Sequence, residues 1–359
     1  MQYIAEIIAR VDVIAVQEIC SDLKPLKRLM GLLGRSYDYI LTDVTHSGQG
    51  GNKERLGFIY DRNKVDFKGV SGEIVLPDKM AISKELGKPQ FSRTPFGVEF
   101  QSGWFKFLFS TVHIYYGKSS TRSKEYARRV KEIDSVAKYL AKEARASDAN
   151  QILVGDFNVL KSGSAGYNAL EKNGFTTVKN REGSNKDRTK FYDQISFQSR
   201  RNELVLMESD RDDQTFQFFD SVYRPEDFKL YKPVMEKMIA AKRKVAETDL
   251  AEATSKTARK KATRKIASLT KVTASESALE KFYDEWRTFQ MSDHLPLWVA
   301  VFVNFGVIVS HGFRGNIGIS IPRVVYPKKE FVRKAFGHTF SPVMTQGRGF
   351  DTLGVDPIF

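Results

Sequence analysis

Apolar side chains recur at Ile4, Ile7 and Ile8, the spacing of one helical face, so the pattern predicts a helix over 2–10. The stretch VDVIAV at 11–16 then reads as a buried strand. Such a strand needs neighbours on both sides, and nothing before it can supply one. Further strand patterns fall at 37–42, 55–60, 64–74, 97–100, 105–113, 152–154, 191–197, 203–207 and 297–303. Helical spacing is found at 23–33, 121–145 and 167–173. Strands outnumber long helices, and several neighbours look like antiparallel pairs. The expected fold is α/β: two packed mixed sheets flanked by helices, not a doubly wound parallel sheet.

Two regions break this pattern. Residues 232–271 hold twelve basic and four acidic residues, a net +8, with high helix propensity and a thin apolar stripe. One or two protruding helices, or a partly disordered arm, are expected there. The stretch 305–359 has eight glycines and no clear periodicity. The expected organisation is therefore one domain over 1–304, interrupted by the basic insertion 232–271 and followed by an atypical glycine-rich tail.

Charge and cysteine content narrow the function classes. The chain of 359 residues carries a formal net charge of +14, which favours phosphate-bearing polymers or anionic membranes as partners. Its one cysteine, Cys20, excludes an internal disulfide, so a reducing compartment such as the cytoplasm is expected. No run of 18 uncharged apolar residues predicts a membrane span. The first 16 residues, with Glu6, Arg10 and Asp12, do not read as a signal peptide.

The candidate chemistry lies in seven short pieces. Six place a polar group where an apolar strand gives way to a loop: AVQEI (Glu18), KERLGFIY (Glu54), FSRTPF (Arg93), STVHIYYG (His113), LVGDFNV (Asp156, Asn158) and MSDHLPL (Asp293, His294). A seventh, FYDQISF, puts Asp193 inside a strand. Polar groups at strand ends converge on one rim of a sandwich, so a single cleft is expected to collect them. Glu18, Asp156, Asn158 and Asp293 offer hard oxygen ligands, a set suited to Mg²⁺ and poorly suited to Zn²⁺. His113 and His294 can move protons near neutral pH, and Glu54 and Asp193 are candidates to hold each ring in one tautomer. Arg93 is the candidate anion clamp. Metal, acid–base pair and clamp together fit hydrolysis of a phosphate ester.

In order and rough spacing, QE, KER, FSR-P, H, GDFN, YDQI and SDH resemble the endonuclease/exonuclease/phosphatase superfamily, and within it the deoxyribonuclease I branch. The likeness covers about 5–225 and 280–304. It implies a four-layer sandwich and an Mg²⁺-dependent nuclease, with Mn²⁺ as a possible substitute. It also implies roles: Glu18 as main metal ligand with Asp293 in support, and Asp156 and Asn158 positioning water and phosphate. His294, oriented by Asp193, would be the general base; His113, paired with Glu54, would act on the leaving oxygen; Arg93 would touch phosphate. The family's pattern opens with a strand that lies ahead of Met1, so that strand is expected to be missing. Cys20 and Asn52 stand where the deoxyribonuclease I branch places an Arg and a Tyr that enter the DNA minor groove. Two other readings use the same residues: a phosphatase or phospholipase acting on small phosphate esters, and a truncated relative that only binds nucleic acid. The net charge and the FSRTP match favour the nuclease, with nucleic acid as partner.

Overall fold

A computed structural model describes residues 1–45, 53–82, 90–200, 203–206 and 215–303. Asn52 and the tail 305–359 lie outside the described residues. The helices α1 (Gln2–Ile8) and α2 (Lys24–Leu33) bury Ala5, Ile8, Leu26 and Leu29 against Ile59. Pro25 sits in the first turn of α2, where its missing N–H costs nothing. Under these helices lies an antiparallel three-stranded sheet, β1 (Val13–Cys20), β2 (Tyr37–Leu41) and β3 (Glu54–Asp61), in the order β1-β3-β2.

The other face of β3 packs on a second sheet of six strands. These are β4 (Asp66–Glu73), β5 (Phe96–Ser102), β6 (Phe105–His113), β7 (Asn150–Asp156), β8 (Thr176–Thr177) and β9 (Asp193–Gln198), ordered β4-β5-β6-β7-β9-β8. Alternation explains the inter-sheet core: Leu56, Phe58 and Tyr60 of β3 meet Phe96, Val98, Phe100, Phe107 and Phe109. Among the described residues β6 and β7 alone run parallel, and the crossover between them is α3 (Lys124–Ser147). Ile133, Val136, Ala137 and Leu140 of α3, with Leu170 of α4 (Ala165–Lys172), cover the outer face of this sheet on Val112 and Leu153. Helix, sheet, sheet and helix make four layers, the expected α/β sandwich.

The strand β1 is less buried than its apolar run VDVIAV suggests. It is half-buried along most of its length, and among the described residues its outer edge has no partner strand. The run VDVIAV looks buried on composition, but burial is set by neighbours. β10 (Leu204–Leu206) and β11 (Val301–Val303) form a separate antiparallel pair. Val13 and Ala15 of β1 and Val301 of β11 all pack against the same inter-sheet core.

The basic segment 232–271 lies in α5 (Phe228–Glu252) and α6 (Lys256–Val272), in keeping with its helix propensity. A further helix, α7 (Glu276–Gln290), lies beyond those expected from the apolar pattern. Its buried Leu279, Tyr283 and Trp286 join Phe228, Met235 and Ile239 of α5 in a core of their own. No helix among the described residues is long and apolar enough to cross a membrane.

Candidate active site

The strands β6 and β7 end side by side, with His113 opposite Asp156 in the parallel register and Asp156 opposite Asp193 in the β7–β9 register. Three chemistry-bearing residues thus come together through sheet pairing alone. Gly155, one residue before Asp156, has φ +128, and a Cβ there would lie 2.1 Å from the carbonyl oxygen of Val112. Only glycine lets the two strands close at this point. Beyond the strand Asn158 takes a left-handed φ of 53 and donates its backbone N–H to Asp156 Oδ1 at 2.7 Å. Its side-chain amide donates to the Ile114 carbonyl at 2.8 Å.

Two imidazole–carboxylate pairs flank Asp156. His113 Nδ1 lies 3.0 Å from Glu54 Oε1, while its Nε2 faces Asp156 Oδ2 at 3.5 Å and Glu18 Oε1 at 3.9 Å. His294 Nδ1 lies 2.9 Å from Asp193 Oδ2, and the imidazole stacks on the Tyr192 ring at 5.3 Å. This geometry suits the orienting roles expected of Glu54 and Asp193. Glu18 arrives by a distortion: the β1–β3 register shifts between Val16 and Ile19, and Glu18 sits at φ 58. This left-handed backbone, uncommon for glutamate, leaves the carboxylate exposed beside His113.

Electrostatics follow from this crowding. Burial pushes the Asp156 carboxyl up, further raised by Asp193 and opposed by both histidines, to about 6. Burial works against the charged form of His294, but Asp193, Asp156 and Asp293 outweigh it and raise the imidazole to about 10. His113 is likewise raised, since Glu54 and Asp156 prevail over desolvation, while Glu54 is held below the usual carboxylate range by His113 and Arg93 despite its burial.

Some sequence expectations need correction. Arg93 is buried at 8% exposure and its Nε is engaged by Glu54, so it braces the Glu54–His113 pair instead of standing at an open rim. Asp293 and His294 follow helix α7, not an apolar strand, and Asp193 opens β9 instead of lying within it. The Asp293 carbonyl accepts from the Lys186 N–H at 2.9 Å, which pins this loop. Among the described residues the acid and imidazole atoms close enough to share an ion belong to Glu18, Glu54 and His113, within 4.8 Å of one another; Asp293 is not in this group. With Glu54 committed to Arg93 and His113, the exposed Glu18 carboxylate is the group left for a hard cation that keeps several waters. The donor set fits such an ion.

One further residue near the site is not apparent from the sequence. Arg129 of α3 is 1% exposed and donates to the carbonyls of Tyr116, Lys118 (2.9 Å) and Asn158 (3.0 Å). Its guanidinium also lies over the Tyr116 ring, which meets Tyr192 edge-on. The signal the sequence does hold is an arginine on the helix face that carries Val136 and Leu140.

Residues 1–222 match the model of the Endonuclease/Exonuclease/phosphatase family. No curated protein sequence matches the chain. Among solved structures it is similar to a mannosyl-6-phosphatase of Bacteroides thetaiotaomicron, at 20% identity over 57% of this chain and 77% of that one, with a TM-score of 0.42. It is also similar to the human Nocturnin catalytic domain (13% identity, 57% and 75% covered, TM-score 0.41) and to truncated Caenorhabditis elegans TDP2 (14%, 57% and 78%, TM-score 0.39).

Proposed function

The chain belongs to the endonuclease/exonuclease/phosphatase family, and we propose that it is a metal-dependent nuclease hydrolysing phosphodiester bonds. The observation that carries this reading is the pair of imidazole–carboxylate dyads, His113–Glu54 and His294–Asp193, on either side of Asp156. Hydrolysis needs one proton taken from water and one given to the leaving oxygen, and two oriented imidazoles supply both. Glu18 would hold the divalent cation, Mg²⁺ or Mn²⁺, which would supply Lewis-acid chemistry at the phosphate. Asp193 orients His294, whose Nε2 accepts the proton of the attacking water in the fraction of molecules with a neutral imidazole, a fraction that grows as pH rises towards 10. His113, braced by Glu54 and Arg93, protonates the departing oxygen. Asp156 and Asn158 place the water and phosphate between them, and Asp293 adds negative charge beside His294. The catalytic unit is read as 1–304, with 232–271 inserted in it.

The net charge of +14 favours a polyanionic substrate over a small ester. A nicking assay on supercoiled plasmid, beside a panel of phosphate monoesters, tests the proposal. Chelation should abolish nicking, and His294→Ala and Asp156→Ala should each lower it by about 10²-fold or more. Full activity of His294→Ala would remove it as the base. Monoester turnover without nicking would move the chain to the phosphatase reading.

A further inference from the structure

Helix α6 (KTARKKATRKIASLTKV) carries seven basic residues and no acid. Lys256, Lys260, Lys261, Arg264, Lys265 and Lys271 are all exposed. None of them has an ion-pair partner among the described residues, whereas Lys232 and Arg243 of α5 are paired with Glu276 and Glu247. At about 100° per residue Lys256, Lys260, Arg264 and Lys271 lie on the face opposite the apolar stripe, and Lys261 and Lys265 flank it. That stripe, Ala262, Ile266, Leu269 and Val272, is turned inward: Ala262 is buried, and Leu269 and Val272 pack on the core shared by α5 and α7.

Each feature narrows the partner. Like charges on successive turns of one helix repel and destabilise it, and α6 carries no acid to offset this. A helix that binds membranes inserts a free apolar face, and α6 has its own committed to packing. Single-stranded nucleic acid is held largely by aromatic stacking, and α6 has no aromatic residue. A row of unpaired cations without stacking groups fits the phosphate backbone of a duplex, whose bases are already stacked on one another.

Its place in the fold ties α6 to the site. Helix α7 begins four residues after α6 ends and runs 15 residues towards Asp293 and His294. Asp284 of α7 pairs with Lys186 at 2.6 Å, and the Lys186 N–H holds the Asp293 carbonyl. The far end of α7 is therefore roughly 22 Å from its catalytic end at 1.5 Å per residue. We infer that α6 is a docking face for double-stranded nucleic acid, engaging the backbone roughly six or seven base pairs from the bond that is cut, at 3.4 Å per pair. This rests on the nuclease reading for the site but not for the binding itself.

The test compares the full chain with a variant carrying Lys260→Gln, Lys261→Gln, Arg264→Gln and Lys265→Gln. Binding to a 20-base-pair hairpin is measured in chelator over a series of salt concentrations. The wild-type slope of log K against log salt should be steeper by about 0.9 for each phosphate that the variant no longer neutralises, hence by up to about 3.6 for four, and the variant should bind at least about tenfold more weakly near 0.1 M salt. With metal present, the variant should cut the 20-base-pair hairpin more slowly than wild type but a 4-base-pair hairpin equally fast. Turnover of bis(4-nitrophenyl) phosphate, too small to reach α6, reports on the catalytic site independently. An unchanged salt slope would overturn the inference, as would equal weakening on single strands or tight wild-type binding to phosphatidylserine vesicles. Loss of small-diester turnover in the variant would also overturn it, because α6 would then be supporting the fold. A changed slope in a protein that binds duplex yet cuts no nucleic acid would uphold the docking face and defeat the nuclease reading.

Discussion

Position 155 shows how narrowly the site is specified at the scale of one residue. A Cβ there would stand 2.1 Å from the Val112 carbonyl oxygen and 2.9 Å from its nitrogen, in a backbone conformation that L side chains rarely adopt. Both obstacles are backbone atoms of β6, so no rotamer change relieves them. Gly155→Ala should force β6 and β7 apart where His113 and Asp156 face each other, lowering stability by about 2 kcal/mol or more and removing activity, as read by thermal melts and the nicking assay. Left-handed Glu18 and Asn158 are the converse case. Non-glycine residues hold a left-handed conformation there that side chains seldom adopt.

Among the elements, α3 does more than cross over between β6 and β7. Glu132, fully buried, accepts from Arg128 at 3.0 Å, from the Ser92 N–H and hydroxyl, and from the Tyr115 N–H at 3.1 Å. One carboxylate thereby anchors the loop that bears Arg93 and the loop that follows His113. Burial raises the Glu132 pKa, and the Tyr115 N–H and Arg128 oppose it. Glu132→Gln leaves the buried Arg128 without its counter-charge and should cost about 3–5 kcal/mol in chemical denaturation. Glu132→Asp should recover part of that loss. The strand β1 is the weaker element, open along one edge among the described residues and bent at Glu18.

For the whole molecule the acid cluster becomes a pH dependence of stability. The folded pKa of His294, about 10, lies above its ordinary 6.5. Such a group contributes stability that is fully present below about 6.5 and lost as pH rises through 10. Asp156, raised to about 6, is already ionised over most of that window and adds little slope there. In chelator, melting temperature should therefore fall more between pH 7 and 10 in wild type than in His294→Gln; parallel curves would mean that the cluster does not hold the proton. Much of this molecule was legible in the sequence. Alternating Phe and Val marked the strands of the six-stranded sheet, because a half-buried strand must repeat every two residues. His113 and Asp156 stood out as polar groups at the ends of apolar runs, and the composition of 232–271 marked a helical segment. Burial and partnership were not legible. Whether VDVIAV is enclosed, whether Arg93 meets a phosphate or Glu54, and which acids stand beside Glu18 depend on residues brought from elsewhere in the chain. Periodicity reports the face a side chain occupies; only tertiary packing decides what that face meets, since those contacts join residues dozens of positions apart.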